Sequence, residues 1–276
     1  MPTLKSIVSA ALAEDVGRGD VTSEAAVPAT SWTCGCLVAR QRAVVAGLDV
    51  AREVFRQVGG TTWRARAKDG DRVRRGQVVA EIRGLARSIL TGERVALNFL
   101  QRLSGTATLT RAFVDAVKGT GAKILDTRKT TPGLRLLEKA AVRAGGGTNH
   151  RVRLDDAALI KDNHISATES VAAAVEQLRR RRGPRFRIEI EAQSRAQALA
   201  FAELDIDVLM LDNLSVPAMR RLVPEVRAIR PKLLIEASGG VTLETVRAIA
   251  ETGVDWISVG ALTHSAPAVD FSLDLA

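Results

Sequence analysis

From Lys123 onward the chain alternates short apolar runs with stretches of helical length, and this alternation narrows the fold more than any other feature. The runs recur at Ile124, Leu159, Ile188, Val208, Leu233 and Trp256. Strands joined through helices pair in parallel, because antiparallel neighbours need only a tight turn. The runs end in LDTRK, LIKDN, IEIEAQ, LMLDN, IEASGG and ISVGALTH. Side chains alternate along a strand, so Asp126 and Arg128 share a face, as do Glu189 and Glu191, Met210 and Asp212, and Glu236 and Ser238. Successive strand ends carrying polar or glycine residues predict an α/β barrel with its site at the C-terminal face. A purely structural account would bury charge in place after place, each costly unless paired.

The residues at those ends suit anions. Arg128, Lys129, His150, Arg151 and Lys161 together can clamp more than one carboxylate or phosphate, Arg as a planar fork and Lys as a point charge. Ser238-Gly239-Gly240, with a helix expected to open at Val241 or Thr242, offers backbone N–H groups to a phosphate. Gly260-Ala261-Leu262 repeats that pattern one strand later. Glu191 and Asp212 are acids among cations, suited to ribose hydroxyls or to Mg²⁺ shared with a diphosphate. No G-x-G-x-x-G or G-x-x-x-x-G-K motif is present, which argues against a dinucleotide fold and a P-loop.

The first hundred residues have another texture. A helix is expected over 4–13, then a turn-rich passage without periodicity, β structure from Trp32 to Ala46, and a helix over Leu48–Val58 closed by Gly59-Gly60. Alternation resumes over 61–84 with a turn at Asp69-Gly70-Asp71, so this part predicts a small α+β sandwich. A long helical region follows from Ser88 to Val117, with an interruption expected at Ser104-Gly105. Cys34 and Cys36 form a lone C-x-C, better read as two small buried side chains than as half a zinc site. The net charge of +9 owes much to the run Arg179–Arg182. That run closes a helix expected from about Thr168, where cations complement the dipole. With no Tyr in the chain, stacking on nucleic acid is disfavoured. No apolar run reaches the roughly 18 residues of a membrane span, and the N-terminus lacks a convincing signal segment, so a cytoplasmic location is expected.

Several blocks carry a resemblance. EDVGRGDVTS, ERVALNFLQRLSGTATLT, DTRKTTPGLRLLEKAAVRAGGGTNHR, LIKDNHI, IEIE, LMLDN, IEASGGVT and VDWISVGALTHSAPAVDFSL resemble the quinolinate phosphoribosyltransferase family across nearly the whole chain. The resemblance implies an incomplete (open) α/β barrel over 106–265 behind an N-terminal α+β sandwich domain over 1–105, the latter joined by the tail 266–276. It implies transfer of phosphoribosyl from 5-phosphoribosyl-1-diphosphate to quinolinate with decarboxylation, on the de novo route to NAD, with Mg²⁺. By the same resemblance Arg128, His150, Arg151 and Lys161 hold the quinolinate carboxylates. Arg94 completes that clamp from the neighbouring subunit of a homodimer, which can assemble further. Lys129, Lys161, Glu191 and Asp212 form the catalytic group, Lys129 meeting the donor and the two acids its ribose and Mg²⁺. Ser238, Gly239, Gly240, Ser258, Gly260 and His264 line the 5-phosphate side. Ala140, Ala144 and Arg153 depart from the family's usual residues. Two rival enzymes are a paralogue with another acceptor acid and a Schiff-base aldolase using Lys161, which borohydride trapping would reveal.

Overall fold

The computed structural model describes residues 2–275. In chain order it opens with α1 (Leu4–Val16), α2 (Val21–Ala26), β1 (Trp32–Ala39), β2 (Ala43–Val44) and α3 (Leu48–Val58). Then come β3 (Thr61–Ala65), β4 (Arg72–Val73), β5 (Val78–Leu85) and the long α4 (Ala86–Ala116). The strand–helix alternation runs β6 (Lys123–Leu125), α5 (Arg135–Ala144), β7 (Ala158–Ile160), α6 (Asp162–Ala167), α7 (Val171–Arg182), β8 (Ile188–Ala192) and α8 (Arg195–Ala202). It closes with β9 (Val208–Asp212), α9 (Val216–Ile229), β10 (Leu234–Ser238), α10 (Val246–Ala250), β11 (Trp256–Ser258), α11 (Ala261–His264) and β12 (Phe271–Leu275).

These elements pack as two compact units. One takes the chain up to Arg111, then Thr130–Gly146 and everything from Ala261; the other takes Ala112–Lys129 and Gly147–Gly260. The division differs from boundaries at 105/106 and 265/266 chiefly in where α5 goes. Ala141 and Leu137 of α5 pack with the core of the first unit, and a Cβ on Gly145 would meet the Ala107 carbonyl at 2.5 Å. That close backbone approach ties α5 to the sandwich rather than to the barrel strands on either side of it in sequence.

In the first unit β12, β1, β5 and β3 form one antiparallel sheet in that order. Its core joins Leu37, Ile82, Phe55, Ile89 and Leu100. The α3 helix forms because Leu48, Ala51, Val54 and Phe55 recur at helical spacing on one buried face. It ends at Gly59, whose φ of +80° only glycine adopts cheaply and whose N–H returns to the Phe55 carbonyl. The turn-rich passage after α1 holds a helix after all. Asp20 caps α2, accepting from the Ser23 N–H at 3.0 Å and the Ser23 hydroxyl at 2.6 Å; six residues are too few for a period to show in sequence. α4 likewise runs unbroken through Ser104-Gly105. The Ser104 hydroxyl takes the Ala46 N–H at 3.0 Å, and Gly105 lets the Pro267 carbonyl approach to within 2.1 Å of where a Cβ would stand. The pair that reads as a helix break is a seat for neighbouring backbone.

In the second unit the six expected strands pair in parallel, in the order β6-β11-β10-β9-β8-β7. β6 and β7, consecutive in sequence, lie at opposite edges and do not pair, so the sheet curls without closing. Leu125, paired with Ser258 of β11, also makes an isolated bridge to Thr148. Ile188, Ile190, Val208, Leu209, Leu211, Ile235 and Ile257 are all buried along these strands. Ser170, Ser194 and Ser215 cap α7, α8 and α9 through their side chains, which fixes where each return helix starts. Of the basic run, Arg179 bonds Asp207 (3.0 Å) and the carbonyl of Asp205 (2.9 Å), while Arg180, Arg181 and Arg182 are exposed, Arg182 lying 5.5 Å over the Phe186 ring.

Candidate active site

One side of the candidate site begins where β6 stops. Asp126 is fully buried, and its carboxylate accepts the His150 N–H at 2.9 Å and the Asn149 side-chain amide at 2.5 Å. It is the peg on which the 148–151 segment hangs. Arg151 is 7 % exposed, with Nη1 donating to the Ala157 carbonyl at 3.0 Å. Burial lowers its pKa, the charge of Arg128 lowers it further, and Glu189 opposes both. Arg128 and Arg151 therefore crowd like charges together, an arrangement that an anion relieves.

Beneath them lies a buried polar network. The Arg151 N–H donates to His150 Nδ1 at 2.8 Å, so Nε2 carries the ring proton toward Glu189 Oε2, 2.9 Å away. Glu236 Oε2 stands 3.7 Å from the same nitrogen. The Ser258 hydroxyl donates to Glu236 Oε1 at 2.5 Å, so the structure places Ser258 inside the barrel, spent on Glu236. Burial pushes the Glu189 carboxyl up to about 7, with Arg187, Arg151 and Lys161 opposing it. Burial, then repulsion from Glu189, pushes Glu236 up to about 8 against the pull of His150 and Ser258. His150, Glu189 and Glu236 bring metal-ligand atoms within 4.8 Å of one another. Arg151 and Arg187 offset the charge on Glu189, and the cluster is a buried hydrogen-bonded network.

The second half gathers at the ends of β7, β8 and β9. Lys161 Nζ lies 3.7 Å from Glu191 Oε2, with the lysine half exposed and the acid nearly buried. Burial raises the Glu191 pKa, Asp212 raises it further, and Lys161 opposes. Lys161, Glu191 and Asp212 are thus brought together. Lys129 is exposed just past β6, where its N–H bonds Thr127 Oγ1 at 3.0 Å. Asp212 pairs in register with Ser238, which leads into Gly239 and Gly240 at φ +92° and +58°. The helix expected at Val241 or Thr242 does not open there: α10 starts at Val246. A turn in which the Thr242 N–H bonds Thr245 Oγ1 at 3.0 Å comes first. Gly260 leads directly into the four-residue α11.

Two expected residues belong to the first unit. Arg94 is exposed on α4, and His264 is exposed on α11 with Nδ1 2.6 Å from the Ser265 hydroxyl. Arg153 pairs with Asp155 (2.9 Å) and Asp156 (3.4 Å) of its own loop. The sequence puts Glu189 on one face with Glu191 and Glu236 on one face with Ser238 without giving Glu189 or Glu236 a role, and it gives none to Asn213. Only the fold shows that the two glutamates meet at one imidazole nitrogen.

The chain matches the family model described as quinolinate phosphoribosyl transferase, C-terminal domain, over residues 106–274, and the corresponding N-terminal domain model over 20–104. It is 44% identical over 275 residues to the nicotinate-nucleotide pyrophosphorylase (carboxylating) of Mycobacterium leprae (strain TN), covering 98% of this chain and 96% of that protein. The crystal structure of NadC from Streptococcus pyogenes is 41% identical, with a TM-score of 0.93 and coverage of 99% of this chain and 96% of that one. The nicotinate-nucleotide pyrophosphorylase of Ehrlichia chaffeensis is 38% identical at the same TM-score of 0.93, covering 100% and 99%. With both domain models met in order along the sequence and identity sustained across its length, the chain belongs to the quinolinate phosphoribosyl transferase family.

Proposed function

We propose that this protein transfers the phosphoribosyl group of 5-phosphoribosyl-1-diphosphate to quinolinate, releasing diphosphate and CO₂ and forming nicotinate mononucleotide for de novo NAD synthesis. One observation carries the reading: Arg128 and Arg151 crowd their charges at one end of the parallel sheet, and Lys161, Glu191 and Asp212 meet at strand ends of that sheet. The first group suits a dicarboxylic acid and the second a charged sugar. Arg128, Arg151 and Lys161 hold the quinolinate carboxylates, with His150 fixing the Arg151 backbone behind them. As the bond from the sugar C1 to diphosphate breaks, the ring nitrogen of quinolinate forms its bond to C1. The carboxylates of Glu191 and Asp212 stabilise the cationic character of the sugar at that moment. The carboxylate beside the ring nitrogen then leaves as CO₂. The electron pair left on that carbon is held by the adjacent cationic nitrogen until a proton replaces the lost group. The clamp supplies orientation in this step rather than acid–base chemistry.

Glu191 and Asp212 offer hard carboxylate oxygens, close enough that Asp212 raises the cost of charge on Glu191, which is the donor chemistry Mg²⁺ takes. Bound there with the donor, Mg²⁺ would neutralise charge on the departing diphosphate. Lys129 meets the donor, and Ser238, Gly239, Gly240 and Gly260 seat its 5-phosphate, with His264 assigned to the same group. Arg94, exposed on α4, completes the acid clamp of a partner subunit in a homodimer. A cytoplasmic setting fits the two free thiols of Cys34 and Cys36. Among the described residues no helix is long and apolar enough to cross a membrane. The test is release of labelled CO₂ from carboxyl-labelled quinolinate, dependent on both the phosphoribosyl donor and Mg²⁺; no release with both present overturns the reading.

A further inference from the structure

Asn213 stands out on geometry. Among the described residues it alone, apart from glycine, has positive φ, at +55°, a conformation that is strained for most residues and less so for Asn. It immediately follows Asp212 at the end of β9. Its side-chain Nδ2 donates to Asp212 Oδ2 at 2.7 Å, and its backbone N–H donates to the Ser238 carbonyl at 2.9 Å. A carboxylate only accepts, so the amide nitrogen must face Asp212 and the amide oxygen must face the other way. On that other side is Gly239. A Cβ there would stand 2.2 Å from Asn213 Oδ1 and 2.6 Å from its Cγ. The amide is thus wedged between the Asp212 carboxylate and the bare α-carbon of Gly239, whose own φ is +92°.

We infer that Asn213 is a positioning residue for the phosphoribosyl donor: its amide fixes the carboxylate of Asp212 and, through contact with Gly239, sets that carboxylate in register with the Ser238-Gly239-Gly240 turn. Three features act together. The left-handed backbone turns the Asn213 side chain back onto its neighbour, the amide hydrogen bond orients one carboxylate oxygen, and the missing Cβ leaves room for it. Asp212 Oδ1 is then presented in a fixed direction. The two parts assigned to the donor, an acid and a glycine turn, are locked by a single side chain. Asn213 touches neither reacting atom and works through Asp212.

This rests on the donor site proposed above, so the test separates the two. Asn213→Gly keeps the positive φ at no cost and removes only the amide, so the fold is retained. Losing one hydrogen bond to a charged group predicts a rise in KM for the phosphoribosyl donor, or a fall in kcat, of about tenfold. The KM for quinolinate and the melting temperature should hold. Gly239→Ala, which drives a methyl into the Asn213 amide, should shift the same donor parameters in the same direction. If Asp212→Asn loses turnover at least a hundredfold while Asn213→Gly leaves donor KM and kcat within twofold, the positioning role is overturned and the donor site stands. Equal loss for both substrates together with a lowered melting temperature also overturns it, as a merely structural effect. Full activity in Asp212→Asn overturns the donor site and this inference with it.

Discussion

Truncating Arg151 removes one of two crowded guanidinium groups, so its consequences for substrate and for folding diverge. Arg151→Ala, Arg128→Ala and Lys161→Ala should each lower turnover by at least a hundredfold, because the acid loses a charge-assisted contact in the transition state. Their circular dichroism should stay native, and near-wild-type activity in any one of them removes it from the clamp. Glu236 makes the opposite kind of prediction. Its carboxyl is pushed up to about 8 in the folded protein from a usual value of 4.5, so the native state holds a proton that the unfolded chain has released. Stability contributed by that proton is complete below about pH 4.5 and is lost progressively as pH rises through about 8. Glu236→Gln cannot titrate, so its melting temperature should fall less steeply than wild type between pH 5 and 8; parallel curves would refute the assignment. Arg128 and Lys161 could be picked out in sequence as candidates because they stand at the ends of apolar runs, whereas His150 and Arg151 follow a glycine-rich stretch. The His150 tautomer and the Asn213 wedge could not be, since both depend on which strands become neighbours and on one backbone angle.

At the scale of elements, the long regular pieces could be read from periodicity and the short ones could not. All six barrel strands and α3 stand where their apolar spacing put them. α2 and the delayed α10 are too short to leave a pattern, and hydrogen bonds to the Asp20 carboxylate and between Thr242 and Thr245 decide them. α4 misled for another reason: Ser-Gly is common where helices end, yet here the glycine admits a neighbouring carbonyl. Gly105→Ala tests this. In an exposed helix that change stabilises by about 1 kcal/mol. Here the added methyl meets the Pro267 carbonyl at 2.1 Å, and backbone cannot swing aside, so overpacking of about 1–3 kcal/mol should win. A lower denaturation midpoint is expected, and a higher one would show that the contact relaxes freely. Asp20→Ala should cost about 1 kcal/mol through its lost cap, read as a lower denaturation midpoint.

For the whole molecule, the strongest test concerns Arg94, because its proposed duty lies in another copy of the chain. Arg94→Ala and Lys161→Ala homodimers should each be nearly inactive. Mixed, they should recover about a quarter of wild-type activity per active site, the statistical share in random subunit exchange that leaves one site intact in half of the dimers. No recovery would place both residues in the service of one subunit. Charge also had to be weighed across the molecule. Of the net +9, one arginine of the basic run, Arg179, holds the entry to β8, and Arg182 lies over Phe186.

The pairing of β12 with β1 has a consequence for biogenesis. β1 is flanked by β5 and β12, in register from Gly35 with Leu275 to Ala39 with Phe271. During synthesis β5 emerges soon after β1, whereas β12 leaves the ribosome only after every barrel strand. Until then the nascent sandwich presents a raw β edge, the kind of surface on which chains join one another. A messenger cut short after Asp270 should therefore yield protein that aggregates, although each barrel strand is present. The closing strand acts as a completeness check, sealing the first unit only when the second has been fully translated.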